Sequence, residues 1–96
     1  MFATVSLPEN VVLSRRAVRD LDTLSDKEAR IVIEDIIRLA HRTFPGEIKM
    51  IVSLPQRPLQ GDSGRFRILH RWEKKRLEII TIFPKKIQNL VFRGLR

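Results

Sequence analysis

Three arginines alternate along one short segment of the chain, in a pattern that can bind phosphate. The positions of Arg65, Arg67 and Arg71 differ by two and by four. In a β-strand their side chains therefore lie on the same face. Neighbouring guanidinium groups repel one another, and an anion bound between them relieves that repulsion because each planar fork matches two phosphate oxygens. The alternative is a water-exposed face on which long side chains cover apolar neighbours. The spacing favours phosphate binding.

Four lysine and arginine side chains are expected near this row. Lys49 lies on the preceding strand and is expected on the arginine face, and Arg57 lies in the loop between the two strands. Pro84 ends strand pairing, so Lys85 and Lys86 are expected to emerge at the edge of the sheet, close to the arginines.

The composition agrees with an anionic partner. The 96 residues carry 19 Lys and Arg against 11 Asp and Glu, a net charge of +8, and the positive excess lies in residues 49–96. Such a balance favours nucleic acid, an anionic membrane or an acidic protein as partner, and the alternative is a soluble protein with a cationic surface. The chain contains no cysteine, which excludes disulfides and zinc–thiolate sites.

Several other kinds of function are disfavoured by the sequence. No metal-ligand spacing, Gly-rich phosphate loop or Ser/His/Asp arrangement is present, so we expect no metal and no small-molecule cofactor. His70 alternates with apolar residues of its strand, which favours a packed histidine over a catalytic one. No apolar run reaches the length of a membrane span, and the first residues lack the features of a signal peptide. We therefore expect one cytoplasmic domain, residues 1–96, that does not enter a membrane.

The elements that position the cations follow from periodicity. Residues 2–7 and 11–13 are predicted to be extended, and two helices follow, over residues 15–24 and from Ser25 to about Thr43. Ser14 is a candidate N-cap of the first helix, and Ser25 with Glu28 forms a capping box for the second. Apolar residues then alternate with period 2 in three segments, 47–54, 65–72 and 76–83, with a loop over 55–64. The predicted fold is α+β: an N-terminal strand, a helical hairpin and an antiparallel three-strand meander, with the helices on one face of the sheet.

The order of these elements and several short motifs resemble the RelE/ParE toxin superfamily, particularly its phage-derived HigB-like branch. The segment from Val11 to Leu24 is similar to the first strand and helix of that superfamily. Gly64-Arg65-Phe66-Arg67-Ile68-Leu69 resembles its Gly-x-Tyr/Phe-Arg-hydrophobic strand. Phe83-Pro84-Lys85-Lys86-Ile87-Gln88 resembles the HigB-like Phe-x-Lys-Lys-x-Gln ending. The resemblance extends from Val11 to about Phe92.

The resemblance implies the toxin of a type II toxin–antitoxin system, a ribosome-dependent endoribonuclease that cuts mRNA and is silenced by a cognate antitoxin. In that reaction the 2′-hydroxyl of the RNA attacks the adjacent phosphate without a metal, and the protein supplies positioning, charge stabilisation and proton transfer. By motif, Arg67 would stabilise the transition state, and Lys85 and Lys86 would stabilise charge or move a proton. The expected RNA-binding residues, placed by strand geometry and charge, are Lys49, Arg57, Arg65 and Arg71.

One feature of the sequence departs from the family pattern, and alternatives stay open. Many RelE-type toxins stack a C-terminal tyrosine near the scissile nucleotide, whereas this chain has no tyrosine; Phe92 could stack there but cannot donate a proton. A ParE-like inhibitor of DNA gyrase and a non-catalytic basic module that binds RNA or protein are compatible with the same pattern. The Lys-Lys-x-Gln ending favours RNA.

Overall fold

A computed structural model describes residues 6–96 of the chain. In chain order the elements are β1 (Val11–Leu13), α1 (Arg15–Asp22), α2 (Asp26–Ala40), β2 (Ile48–Met50), β3 (Leu59–Ser63), β4 (Phe66–Glu73), β5 (Arg76–Pro84), a 3₁₀ turn (Lys85–Ile87) and α3 (Gln88–Leu95). The strands form one sheet in the order β1-β5-β4-β3-β2, with β1 parallel to β5 and the other neighbours antiparallel. The predicted α+β class is confirmed. In the predicted extended segment at 2–7, residues 2–5 lie outside the described part of the chain.

The two N-terminal helices begin where their capping residues predict. The Ser14 hydroxyl accepts a hydrogen bond of 2.9 Å from the Ala17 amide, and the Ser25 hydroxyl accepts one of 3.1 Å from the Glu28 amide. Each bond satisfies an amide that the first helical turn leaves without a partner. Both predicted N-caps are therefore confirmed.

The segment predicted as a loop over 55–64 contains a strand, β3, so the antiparallel meander has four strands and not three. The sequence of β3 is Leu-Gln-Gly-Asp-Ser, which is poor in the β-branched and aromatic residues that identify strands. It forms because it pairs on both sides: Gly61 lies opposite Ile48 of β2 and Ile68 of β4. Gly61 also leaves room for the Phe44 ring, since a Cβ there would lie 3.2 Å from it.

Apolar clusters lie on both faces of the sheet. On one, which we call the helix face, α1 and α2 pack on buried residues of β4 and β5. On the opposite face, which we call the far face, Val91 and Phe92 of α3 pack with Leu54, Leu69 and Phe83. The helical hairpin of α1 and α2 covers one face of the sheet, as predicted, and α3, a third helix that was not predicted, packs on the other. None of the helices among residues 6–96 is long and apolar enough to cross a membrane.

An irregularity in β5 changes which residues face the helices. Leu69 pairs with Thr81 but His70 pairs with Ile79, so Ile80 is an extra residue in the ladder, a β-bulge. Strict alternation over residues 76–83 would place Leu77, Ile79 and Phe83 on one face. Before the bulge Leu77 and Ile79 do point to the helix face; after it the alternation is inverted. Ile82 therefore packs with the helices and Phe83 on the far face, the reverse of the prediction from strict alternation.

Two polar residues, the N-cap of α1 and one residue inside that helix, satisfy the backbone around this bulge. Asp20 of α1 accepts hydrogen bonds from the Thr81 hydroxyl at 2.7 Å and the Ile82 amide at 2.9 Å. The Ser14 hydroxyl donates to the Ile80 carbonyl at 2.6 Å, and the Ser14 amide donates to the Ile79 carbonyl at 3.0 Å. Backbone carbonyl and amide groups of β5 around the bulge are thus hydrogen-bonded by Ser14 and Asp20. These bonds fix α1 against the bulge.

We predict that Asp20→Ala lowers the free energy of unfolding by about 2–4 kcal/mol, because it removes two hydrogen bonds to a carboxylate and leaves a partly buried amide without a partner. Urea denaturation measures this loss. Asp22→Ala, at an exposed position of the same helix, is the control and is expected to change stability by less than about 0.5 kcal/mol. Equal losses in the two variants would contradict the role given to Asp20.

The buried histidine of β4 makes stability depend on pH. His70 is 0% exposed, as its alternation predicts. Its Nδ1 donates to the Ile68 carbonyl at 3.0 Å, and among the described residues no group hydrogen-bonds its Nε2. Burial lowers the pKa of His70 below its ordinary value of 6.5, and the bond to Ile68 opposes this only in part. The folded protein therefore holds His70 neutral where the unfolded chain protonates it.

We predict that the free energy of unfolding decreases as the pH falls below about 6.5, because the unfolded state then binds a proton that the folded state excludes. His70→Asn, which keeps a donor close to the position of Nδ1 and does not titrate, is expected to flatten this slope between pH 7.5 and 5.5. Denaturation at a series of pH values measures the slope. His41→Asn, at an exposed histidine, should keep the wild-type slope; the same slope in all three proteins would refute the prediction.

Candidate nucleic-acid interface

Arg67, on the far face of β4, is held by side chains of two other elements. Its Nε lies 3.2 Å from Oδ1 of Asp62, the residue opposite it on β3. Its Nη1 donates to the side-chain oxygen of Gln88, in the first turn of α3. The side chain is 26% exposed, so the guanidinium is held in place and still accessible. A guanidinium fixed in this way loses little rotamer entropy on binding an anion.

A second predicted cation joins Arg67 through the same carboxylate. The Nζ of Lys85 lies 3.3 Å from Oδ2 of Asp62, so Asp62 bridges an arginine and a lysine. The Lys85 amide donates to the Arg65 carbonyl at 3.0 Å, which fixes the 3₁₀ turn at the start of β4. We call Asp62, Arg67, Lys85 and Gln88 the Arg67 cluster. Lys86, the next residue along the turn, is exposed.

A small cleft lies beside the Arg67 cluster. It has a volume of about 110 Å³ and is lined by Glu47, Lys49, Gln60, Asp62 and Arg67. Lys49 lies opposite Gln60 in the ladder between β2 and β3, so the structure places Lys49 on the far face, as predicted. Its side chain is 68% exposed and its Nζ lies 3.9 Å from a carboxylate oxygen of Glu47, a separation that leaves the ammonium free to turn toward another anion.

Arg65 does not share a face with Arg67, and that prediction is wrong. Arg65 precedes the first residue of β4, in the turn that follows β3. Its Nε donates to a Glu28 carboxylate oxygen of α2 at 2.8 Å, and its guanidinium lies 4.4 Å from the centre of the Phe66 ring. The hydrogen bond from Arg65 lowers the pKa of Glu28. Arg65 thus links the sheet to α2.

Arg71 and Arg57 lie toward the opposite end of the sheet. Arg71 is four residues from Arg67, about 13 Å along a strand. Its guanidinium lies 2.5 Å from Glu73 and 3.2 Å from Glu78 and also bonds Gln56, so two carboxylates neutralise it. Arg57 is exposed in the turn beside Gln56, with a φ of 46°. The predicted row of arginines is thus divided among three places.

Phe92 does not line the interface. Its ring is 6% exposed and packs edge-on against Phe83, with the ring centres 6.0 Å apart. A base cannot stack on a ring enclosed in this way, so burial argues against the predicted contact with RNA. Phe92 anchors α3, and α3 in turn presents Gln88 to Arg67.

Three residues of this interface were missed by reasoning from the sequence. Asp62 and Gln60 alternate along β3, and a segment predicted as a loop offers no face on which to place them. Gln88 belongs to the Phe-x-Lys-Lys-x-Gln motif, which is the signal for it. Nothing in the spacing indicates that its amide bonds Arg67, because the contact depends on how α3 returns across the sheet.

We predict that Asp62→Asn increases affinity for a hexamer of oligouridine about threefold to tenfold, because it removes the carboxylate that competes with phosphate for Arg67 and Lys85. Fluorescence anisotropy at several salt concentrations measures the affinity and should give a steeper salt dependence for the variant.

Glu73→Gln is the matched control, since it removes the same charge beside Arg71 at the other end of the sheet. We expect it to change the affinity for the oligouridine hexamer less than twofold. Equal gains in Asp62→Asn and Glu73→Gln would show that net charge alone, and not the Arg67 cluster, sets the affinity.

Comparison with known proteins supports the fold. No protein-family model matches the sequence, and no curated protein matches it. A chain of the RelB–RelE antitoxin–toxin complex of Methanococcus jannaschii is similar with a TM-score of 0.68 and 13% identity, over 84% of this chain and 98% of that one. A chain of the archaeal RelE–RelB complex of Pyrococcus horikoshii OT3 gives a TM-score of 0.64 and 17% identity, over 79% of this chain and 93% of that one. The chain therefore has the RelE-like α+β fold that its sequence resemblance predicts.

Proposed function

We propose that this protein is the toxin of a type II toxin–antitoxin system and that it cuts mRNA on the ribosome with the Arg67 cluster. The observation that carries the proposal is the convergence of Arg67, Lys85 and Gln88 on one accessible point of a RelE-like sheet. The sequence resemblance associates Arg67, Lys85 and Lys86 with catalysis, and Gln88 belongs to the same Phe-x-Lys-Lys-x-Gln ending. The three residues that converge come from β4, the 3₁₀ turn and α3. The HigB-like branch of the family is proposed on the Lys-Lys-x-Gln ending alone.

The electrostatics of the Arg67 cluster suit a phosphate group. In the free protein, Asp62 occupies the donors of Arg67 and Lys85 as a phosphate oxygen would. A backbone phosphate can displace this half-exposed carboxylate, because it offers two oxygens to the same donors. Lys49 and Lys86 add positive charge on either side, which attracts a polyanion from a distance. The proposed RNA path therefore runs along the far face past Lys49, Arg67 and Lys85.

The groups of the cluster match the steps of metal-independent RNA cleavage. The 2′-oxygen bonds to phosphorus and loses its proton, while the bond from phosphorus to the 5′-oxygen breaks and that oxygen gains a proton. Asp62 carries acceptor lone pairs for the first proton, and Lys85, as an ammonium, can donate the second. Arg67 donates to the non-bridging oxygens, where negative charge accumulates in the transition state. Gln88 positions Arg67 for that contact.

The partners proposed for this chain are a cognate antitoxin, the ribosome and its mRNA. The similar chain from Methanococcus jannaschii belongs to an antitoxin–toxin complex, and a likeness in fold makes the same kind of partner the leading proposal here. A neutralising partner is expected to be acidic, because this chain carries a net charge of +8.

We predict that Arg67→Ala abolishes growth inhibition in cells and lowers the cleavage of ribosome-bound mRNA at least about 100-fold, the loss typical of one charge-stabilising donor. Primer extension on translating ribosomes measures the cleavage, and circular dichroism verifies that the variant is folded. Arg16→Ala, exposed on α1, removes the same charge elsewhere and is expected to retain activity. Arg71→Ala should lower cleavage only slightly, since carboxylates already neutralise that guanidinium.

Three outcomes, each in its own assay, separate this proposal from its alternatives. Folded wild-type protein that leaves ribosome-bound mRNA intact would refute the endoribonuclease. Inhibition of DNA supercoiling by the purified protein would instead identify a ParE-like gyrase inhibitor. Harmless overexpression together with tight RNA binding would identify a non-catalytic basic module.

A further inference from the structure

Strand β2 forms one edge of the sheet, and its outer side has no neighbouring strand. Among residues 6–96 it pairs with β3 alone. The Ile51 amide donates to the Pro58 carbonyl of the segment before β3 at 2.8 Å, and the direction of hydrogen bonding alternates along an antiparallel strand. The backbone groups of Lys49 therefore face β3, whereas those of Ile48 and Met50 face away from the sheet. Such an edge can pair with a further strand.

Three large apolar side chains alternate along this edge. Ile48, Met50 and Val52 are 44%, 56% and 69% exposed. Ile48 lies opposite Gly61, and Gly61 lies opposite Ile68, which packs with the helices. Ile48 and Met50 therefore extend the helix face beyond the buried core, and covering them would remove apolar surface from water.

The charged side chains of the edge lie on its other face. Lys49 projects to the far face, and Glu47, two residues earlier, shares that face. Their side chains are 68% and 79% exposed, and their charged groups are 3.9 Å apart. A lysine on an edge usually prevents pairing with another strand, but an acid at this spacing allows a partner strand to match both charges. The matching strand carries an acid and a base two residues apart, and β2 itself is such a strand.

These charges select one register for a second copy of the chain. When two β2 strands pair antiparallel with Ile48 opposite Ile48, each Glu47 lies directly opposite Lys49 of the other copy, and opposite charges in that position stabilise a sheet. The same register brings together the outward backbone groups of the two Ile48 residues. Centring the pair on Lys49 or on Glu47 would place like charges opposite each other, which destabilises a sheet.

We propose that the protein forms a two-fold symmetric dimer in which β2 pairs with β2 of a second copy, so that two five-stranded sheets become one sheet of ten strands. In the dimer Lys49 exchanges its own Glu47 for Glu47 of the second copy, so the charge beside the cleft is unchanged. A three-residue edge cannot bury the roughly 1,200–2,000 Å² of a stable interface, and each copy carries a charge of +8. The expected Kd is therefore on the order of 50 µM. This inference does not depend on the proposed function.

Sedimentation velocity of the purified chain tests the dimer, from about 5 to about 500 µM protein so that the range brackets the expected Kd. Wild-type protein is expected to change from monomer to dimer over this range. Glu47→Lys and Lys49→Glu each place like charges opposite each other and are expected to weaken the dimer at least about 10-fold. An equimolar mixture of these two variants restores opposite charges and is expected to form a heterodimer, which also verifies that both variants are folded.

Glu9→Lys is the matched control for net charge. Glu9 is exposed and precedes β1, at the opposite edge of the sheet, and its reversal changes the net charge as Glu47→Lys does. We expect Glu9→Lys to dimerise within about twofold of wild type, because screening by salt limits the effect of a distant charge. Equal weakening in the two variants would show that net charge, and not pairing of β2, controls association.

The register has its own test, because the chain contains no cysteine. Residues directly opposite each other in an antiparallel pair have Cα atoms about 4.5–5.5 Å apart, within the range of a disulfide. A mixture of Glu47→Cys and Lys49→Cys is therefore expected to cross-link under glutathione disulfide at least about 10-fold faster than either variant alone. Faster cross-linking of Lys49→Cys with itself would place Lys49 opposite Lys49 and overturn the register.

The outcomes separate this inference from the proposed function. Wild-type protein that stays monomeric up to the highest concentration refutes the dimer, whether or not it cleaves mRNA on ribosomes. A mixture of Glu47→Lys and Lys49→Glu that stays monomeric, while wild type dimerises, would show that the copies associate through another surface. Dimerisation as expected by protein that leaves ribosome-bound mRNA intact refutes the endoribonuclease and leaves the dimer standing.

Discussion

The β-bulge at Ile80, held by α1, is the constraint on which the two faces of the sheet depend. An extra residue in β5 leaves backbone groups outside the regular ladder, and Ser14 and Asp20 bond them at distances of 2.6 to 3.0 Å. The bulge inverts the side-chain alternation, so one strand supplies Ile79 and Ile82 to the helix face and Phe83 to the far face. The packing of the helical hairpin and that of the apolar cluster on the far face thus both depend on this bulge.

The geometry of the candidate interface depends on the apolar cluster of the far face. Phe83 reaches that face only because of the bulge, and there it meets Phe92 of α3. This contact returns α3 across the sheet, which places Gln88 on Arg67 and the 3₁₀ turn with Lys85 beside Asp62. Phe92 matters to the proposed activity as a packing residue. A side chain that the sequence suggests for stacking on RNA instead positions those that can bind phosphate.

Local physical rules predicted the parts of the structure that local interactions determine. Helix caps depend on a hydroxyl and an amide three residues apart, so Ser14 and Ser25 marked both helix starts correctly. Strand β3 escaped prediction because Gly61, Asp62 and Ser63 have turn-like preferences that pairing with two neighbours overrides. The inverted side-chain alternation at the end of β5 was not predicted, because the bulge depends on Asp20, 60 residues earlier in the chain. Arg67 and Lys85 were identified from motifs, whereas the bridging Asp62 required the pairing of β3.

The distribution of carboxylates explains why a row of arginines in the sequence is not a row of phosphate ligands in the fold. Arg65 is paired by Glu28 from α2, and Arg71 by Glu73 and Glu78 from its own hairpin. At the other end of the sheet a single carboxylate, Asp62, serves both Arg67 and Lys85, with Lys86 exposed nearby. Two cations that share one carboxylate therefore lie beside the cleft that contains Gln60. This sharing of one acid, and not the number of arginines, defines the candidate interface.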